Sequence, residues 1–202
     1  MSILKNVLLV LVIGIGGFLA FAATRPDNYR VERSQRIDAP ADVVYAQLDN
    51  FKAWGAWSPW EKRDPSMKKT FEGPASGVGA GYAWAGNKEV GQGRMTITGS
   101  KPPRGGSGEA AELTIRLEFI KPFESVATSG FVVKPEGDKA STATWSMEGK
   151  NNLMGKVFSV FMNMDKMIGG DFEKGLASLK TVAEKAAAEK PAAPPAQAAA
   201  AP

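Results

Sequence analysis

Six segments of alternating apolar and polar residues, joined mostly by short turns, constrain this chain more than any other feature. They cover residues 67–71, 78–85, 89–98, 111–119, 126–133 and 141–148. Gly86-Asn87, Lys121-Pro122 and Pro135-Glu136-Gly137-Asp138 separate several of them, and these residue types favour tight turns. A parallel crossover would need about a dozen residues or more, so strands joined this closely pair antiparallel. In the best segment Leu113, Ile115, Leu117 and Phe119 point one way, while Thr114, Arg116 and Glu118 point the other. Trp145 and Met147 repeat that pattern against Thr144, Ser146 and Glu148. The sheet therefore has one apolar face that something must cover.

The cover comes after the last strand. Met154, Val157, Phe158, Phe161, Met164, Ile168, Phe172, Leu176, Leu179 and Ala183 recur at helical spacing, which predicts one long helix with an apolar stripe. Gly169-Gly170 in its middle predicts a kink or a close backbone approach. Ahead of the sheet, residues 29–37 show partial alternation and read as a further strand. The stretch "IDAPADVVYAQLDNF" then carries helix-start chemistry: Asp38 as the capping candidate, Pro40 in the first turn and Asp42 near the positive end of the helix dipole. Val44, Leu48 and Phe51 give that short helix one apolar face. An antiparallel sheet of about six or seven strands curved around one long helix is an α+β domain.

Trp54, Trp57 and Trp60 follow the first helix at three-residue spacing in "WGAWSPW". Such spacing stacks side chains on one face of a helical or 3₁₀ turn, so the indoles form an apolar wall, either a plug of the core or the rim of a pocket. Gly77, Gly79 and Gly81 precede strand-like residues rather than a helix, which makes them hairpin glycines and not a phosphate-binding loop. Met154, Met162, Met164 and Met167 fill the core or give a deformable wall for a ligand. Glu61, Lys62, Arg63 and Asp64 read as a solvated loop, although one charge at a pocket mouth would orient a polar head group.

The two ends are separate physical objects. No charge interrupts residues 7–23, "VLLVLVIGIGGFLAFAA", a run at the short end of what spans a bilayer and comfortable once Ile3 and Leu4 are counted. Lys5 and Ala20-Phe21-Ala22 admit a cleaved signal peptide. The length of the run and the bulk of Phe21 favour a retained anchor over residues 1–25. The expectation is a single-pass protein of the cell membrane. Lys5 on the near flank and Arg25, Arg30 and Arg33 on the far flank leave its side open, with the extracytoplasmic one preferred. Residues 186–202, "AAAEKPAAPPAQAAAAP", offer no aromatic or branched aliphatic side chain to bury and read as a disordered Pro/Ala-rich tail.

What the chain lacks narrows its chemistry. Among its 202 residues there is no cysteine and no histidine, which removes disulfides, thiolate nucleophiles, Cys-based zinc and a Ser-His-Asp triad. No paired-carboxylate calcium loop appears, so neither a metal nor a cofactor is expected. The net charge of +4 is scattered without a basic run, which argues against nucleic acid.

The segments "IDAPADVVYAQLDNFKAWGAWSPW", "GVGAGYAWAGNKEVGQGRMTI" and "GGDFEKGLASLK", in this order over roughly residues 29–184, resemble the polyketide cyclase/dehydrase and lipid-transport superfamily. These are the START-like or Bet v 1-like helix-grip proteins. The resemblance implies a helix-grip domain over residues 29–185, with a curved antiparallel sheet wrapped around the long C-terminal helix. It also implies that the segment after the first helix closes one end of a cavity, with Trp57 and Trp60 near the rim. Candidate lining residues are Trp57, Trp60, Phe71, Tyr82, Trp84, Met95, Leu117, Phe131, Trp145, Met147, Phe158 and Met162. Members bind different hydrophobic ligands and only some are enzymes. A membrane-tethered module binding a lipid-like or polycyclic small molecule is preferred, because the inward strand faces carry almost no acid or base. The alternatives are a cyclase or dehydratase, or a structural or regulatory module whose side chains fill the cavity.

Overall fold

A computed structural model describes residues 2–104, 108–151, 153–161 and 163–190. The chain begins with helix α1 (Ser2–Ala23), then strand β1 (Asn28–Ile37), helix α2 (Ala41–Leu48) and a 3₁₀ segment (Phe51–Ala56). Six strands follow: β2 (Lys68–Glu72), β3 (Gly81–Ala85), β4 (Gln92–Lys101), β5 (Ala111–Lys121), β6 (Ser125–Pro135) and β7 (Ser141–Lys150). Helices α3 (Leu153–Phe161) and α4 (Met164–Glu189) complete the described chain.

All neighbouring strands pair antiparallel in one sheet of order β1-β7-β6-β5-β4-β3-β2. The first strand thus closes against the last, and the consecutive hairpins fan out from β7. Register shifts at Gln92/Gly93 and Ile97/Gly99 mark irregularities in β4, of the kind that bends a strand and raises its twist. The concave face carries Leu113, Ile115 and Leu117 as the alternation predicts, with Arg116 outside. Phe172, Leu176, Leu179 and Ala183 of α4 are all buried in the same core. This is the expected helix-grip architecture: α+β, with a curved sheet around a C-terminal helix and an apolar helix in front.

Several local expectations need correction. Asp38 does not cap α2: Pro40 occupies the N-cap with φ −56° and ψ 148° and no side-chain bond. Instead the Asp38 backbone N–H donates to Glu184 Oε1 at 2.8 Å, and its carboxylate pairs with Arg36 and Lys180. Strand β3 starts at Gly81 rather than at residue 78, because Gly77 and Gly79 hold φ of +77° and +92° in the turn before it. Strand β4 starts at Gln92, since the Asn87 side chain accepts from the Glu89 and Val90 amides and holds the preceding residues in a turn. The long helix is two helices. The second starts at Met164, capped by the preceding Asn163, whose side chain accepts from the Lys166 amide at 3.0 Å. The helix runs on to Glu189, past the expected start of the tail, while residues 191–202 lie outside the described residues.

Helix α4 runs without a break through Gly169-Gly170. Gly169 permits the close approach instead: a Cβ there would overlap the Arg33 guanidinium, which lies across α4. Arg33 Nε donates to Glu173 at 2.7 Å and Nη2 to the Asp165 carboxylate at 3.0 Å, tying the first turns of α4 to β1. Arg33 holds the Asp165 carboxyl below its ordinary pKa through these hydrogen bonds. A carboxyl whose folded pKa is depressed adds stability that is present above the unfolded value, about pH 4, and is lost as pH falls through the folded one. Thermal unfolding followed from neutral pH into acid is expected to show a shallower decline for Asp165→Asn than for the wild-type chain. Identical slopes would show that the pair adds nothing.

Candidate functional site

The 3₁₀ segment places the tryptophans, and its length decides which of them meets open space. Asn50 starts it by accepting from the Lys52 amide, and it ends at Ala56. Trp54 donates Nε1–H to the Leu48 carbonyl at 2.9 Å and Trp57 to the Gln47 carbonyl at 3.1 Å, so both indoles fold back onto the end of α2. Trp57 is fully buried against Trp54, Phe131 and Trp145, with ring centroids 4.8, 6.0 and 5.5 Å away. Trp60 lies beyond Pro59 and stays half-buried, edge-on to Trp145 at 5.5 Å. Trp145 stacks on Phe172 with centroids 4.1 Å apart and an interplanar angle of 7°. An aromatic plug thus fills one part of the space between sheet and helix.

Beside the plug lies a cavity of about 440 Å³. Trp54, Trp60, Trp145 and Phe172 face it from the plug, Tyr82, Trp84, Met95, Leu117, Phe119 and Met147 from the sheet, and Met164, Met167 and Ile168 from the start of α4. Seven residues expected at a ligand site, Trp60, Tyr82, Trp84, Met95, Leu117, Trp145 and Met147, share this wall. Trp57 and Phe131 lie behind it, within the plug. Phe71 sits on the edge strand, 42% exposed, with the Lys52 ammonium 5.9 Å from its ring. Phe158 points away from the cavity toward Phe123, centroids 6.0 Å apart. Met162 lies outside the described residues.

The charged groups of the wall come mostly from the loop after the tryptophans and from α4, while the strands add the Tyr82 phenol and the Ser125 and Ser129 hydroxyls. Glu61 accepts a hydrogen bond from Tyr82 Oη at 2.8 Å and pairs with Lys69, with its side chain only 8% exposed. Arg63 donates to Asp171 at 2.5 Å, and Asp171 is 9% exposed. Burial and the Glu61 carboxylate push the Tyr82 phenol far above its usual range, so it remains a hydrogen-bond donor throughout neutral pH. Asp64, also buried, serves the backbone: it accepts from the Ser66 and Asn87 amides at 3.0 and 2.7 Å. Sequence reasoning read residues 61–64 as a solvated loop and missed the Glu61–Tyr82 and Arg63–Asp171 contacts. Their partners are 21 and 108 residues away in the chain, so no local pattern signals them. Among the described residues no cluster of carboxylates is placed to hold a metal ion.

The arrangement suits an apolar body with one polar end. The indole N–H groups of Trp54, Trp84 and Trp145 are each bonded within the protein, so these rings present carbon faces. The family model described as polyketide cyclase / dehydrase and lipid transport matches residues 29–184. A hypothetical protein from Helicobacter pylori superposes with a TM-score of 0.58 at 8% identity, covering 77% of this chain and 88% of its own. A Thermobifida fusca protein solved by solution NMR gives 0.52 at 20% identity over 77% of this chain and 93% of its own. Norcoclaurine synthase from Thalictrum flavum, crystallised with dopamine and hydroxybenzaldehyde, gives 0.50 at 12% identity over 80% and 87%. Likeness at these identities is a likeness of fold. No curated protein matches the chain by sequence.

Proposed function

Because this chain belongs to the polyketide cyclase/dehydrase and lipid transport family, we propose that its helix-grip domain binds an apolar small molecule, lipid-like or polycyclic, while α1 holds it at a membrane. The cavity of about 440 Å³ walled by aromatic rings and thioethers carries this reading. It falls within the roughly 300–1,000 Å³ of small-molecule sites, which are mostly apolar with a few placed polar groups. Tyr82 and the Arg63–Asp171 pair would orient a hydroxyl or carbonyl end of the ligand. The anchor reading rests on residues 3–23, a helix long and apolar enough to cross a membrane and almost wholly uncovered by the rest of the chain.

Acid–base catalysis is the second reading, favoured by one observation: Glu61 and Tyr82 form a donor–acceptor pair at the cavity wall. It ranks second because Lys69 and Arg63 already neutralise the two carboxylates, and the phenol is driven away from neutral pH rather than toward it.

The test starts from membranes washed with alkaline carbonate. The chain is expected to stay in the membrane fraction, and native mass spectrometry of the chain released by detergent is expected to show added mass from an apolar compound. Release by carbonate would overturn the anchor. Persistent bare mass, even after incubation with fatty-acid and polyaromatic probes, would overturn the binding reading.

A further inference from the structure

Helix α3 has no buried residue, although it is among the most apolar segments of the domain. Leu153, Met154, Phe158 and Phe161 are all exposed on it, as are Phe123 in the turn before β6 and Met167 on α4. Among the described residues outside α1, the large exposed apolar side chains gather in these elements and the neighbouring ends of β5 and β6; only Phe71, Val78 and Val132 lie elsewhere. Scattered single exposures are ordinary for a soluble domain, but a patch confined to one end implies a partner there.

Contacts with α1 identify the partner. Lys156 Nζ donates to the carbonyl of Ala23, the last residue of α1, at 3.1 Å and pairs with Asp27, in the link to β1, at 2.5 Å. At the other end of α3 the Phe161 ring lies 5.5 Å from that of Phe18. The stretch from Lys156 to Phe161 and the stretch from Ala23 back to Phe18 contain equal numbers of residues, each about 8 Å of helical rise. Helix α3 therefore descends alongside the last turns of α1, in the opposite chain direction. With the end of α1 at the bilayer surface, Phe161 reaches about 8 Å inward, within the roughly 5–10 Å at which interfacial helices bury their apolar faces. The charges of Lys156, Asp27 and Arg25 then lie at the level of the head groups, where snorkelling cations are stable.

The chain leaves this depth through α4, and Met164 and Met167 of its first turn are part of the cavity wall. Tyr29 and Ser125, at the strand ends nearest α1, belong to the same wall. We infer that α3 and the first turn of α4 are embedded in the head-group and outer acyl layer of the membrane that α1 spans, so that the cavity opens onto lipid and an apolar ligand passes laterally between bilayer and cavity. This rests on the reading of α1 as a retained anchor.

The full chain, purified in detergent and reconstituted into phosphatidylcholine vesicles, tests it. Its lack of cysteine allows a single reporter: Phe161→Cys carrying an environment-sensitive fluorophore, with Val78→Cys, exposed in the turn before β3, as reference. The label at residue 161 is expected to emit to the blue of the reference and to be quenched by spin-labelled lipid but not by aqueous iodide. The reference label should show the reverse. Vesicles that float with the chain while both labels behave alike would overturn the inference and leave the anchor standing. A chain that does not float would overturn the anchor, and the inference with it. In a second arm, Phe158→Ser combined with Phe161→Ser is expected to slow uptake of a vesicle-borne fluorescent fatty acid about tenfold, since apolar area sets interfacial burial. Affinity for the same probe added from solution should not change, and both exposed positions leave the fold intact by circular dichroism. Equal uptake rates would rule out lateral passage.

Discussion

Replacing Trp57 by alanine is expected to lower stability by about 3–5 kcal/mol, the range for truncating a buried aromatic in a packed core. The ring is fully buried and touches Trp54, Phe131 and Trp145, so its removal leaves a void lined by other large rings that have no room to collapse. It also orphans the Gln47 carbonyl, which accepts the Trp57 indole N–H at 3.1 Å. A domain held by about 5–15 kcal/mol in total loses a large share of its margin. Near-UV circular dichroism during heating provides the measurement, with Trp57→Phe as the milder comparison. An alanine variant that melts with the wild type would mean that the plug is not the core of this domain.

Trp60→Ala should do the opposite: little to the fold, much to binding. The Trp60 ring is half-buried, leans edge-on against Trp145 at 5.5 Å and Phe172 at 6.4 Å, and faces the cavity. Aromatic anchors of this kind contribute about 2 kcal/mol or more to a complex, so affinity for an apolar fluorescent probe is expected to fall roughly thirtyfold. Fluorescence titration of wild-type and variant chains reads the change directly. Equal affinities in a folded variant would take Trp60 out of the site, while loss of folding along with binding would assign it to the plug with Trp57.

The contrast between these two residues shows where local pattern stops being informative. Trp54, Trp57 and Trp60 have the same spacing and composition in the sequence, which predicts one wall. In the fold the 3₁₀ turn ends at Ala56, and the two indoles that reach the end of α2 are buried: Trp57 lies wholly in the core, Trp54 shows one side to the cavity, and Trp60, beyond the turn, is half-buried at the cavity. Phe71 was misleading for a related reason: its strand reads like the others, but β2 is the sheet edge and all its residues are exposed. Phe158 follows the apolar stripe of the last helices, yet the stripe changes partner at Asn163, so α3 turns to α1 while α4 turns to the sheet.

The sequence by itself determined the strand faces, the antiparallel pairing, the apolar first helix and the aromatic character of the candidate site. Each of these follows from periodicity or turn chemistry within a few residues. Only the tertiary structure decided that Arg33 lies against Gly169, that Glu61 meets Tyr82 and Arg63 meets Asp171, and that exposed apolar residues gather on α3 beside α1. Those outcomes depend on which elements become neighbours once the sheet closes with β1 against β7. Contacts between residues far apart in the chain are selected by the packing of whole faces, and a local pattern carries no record of that choice.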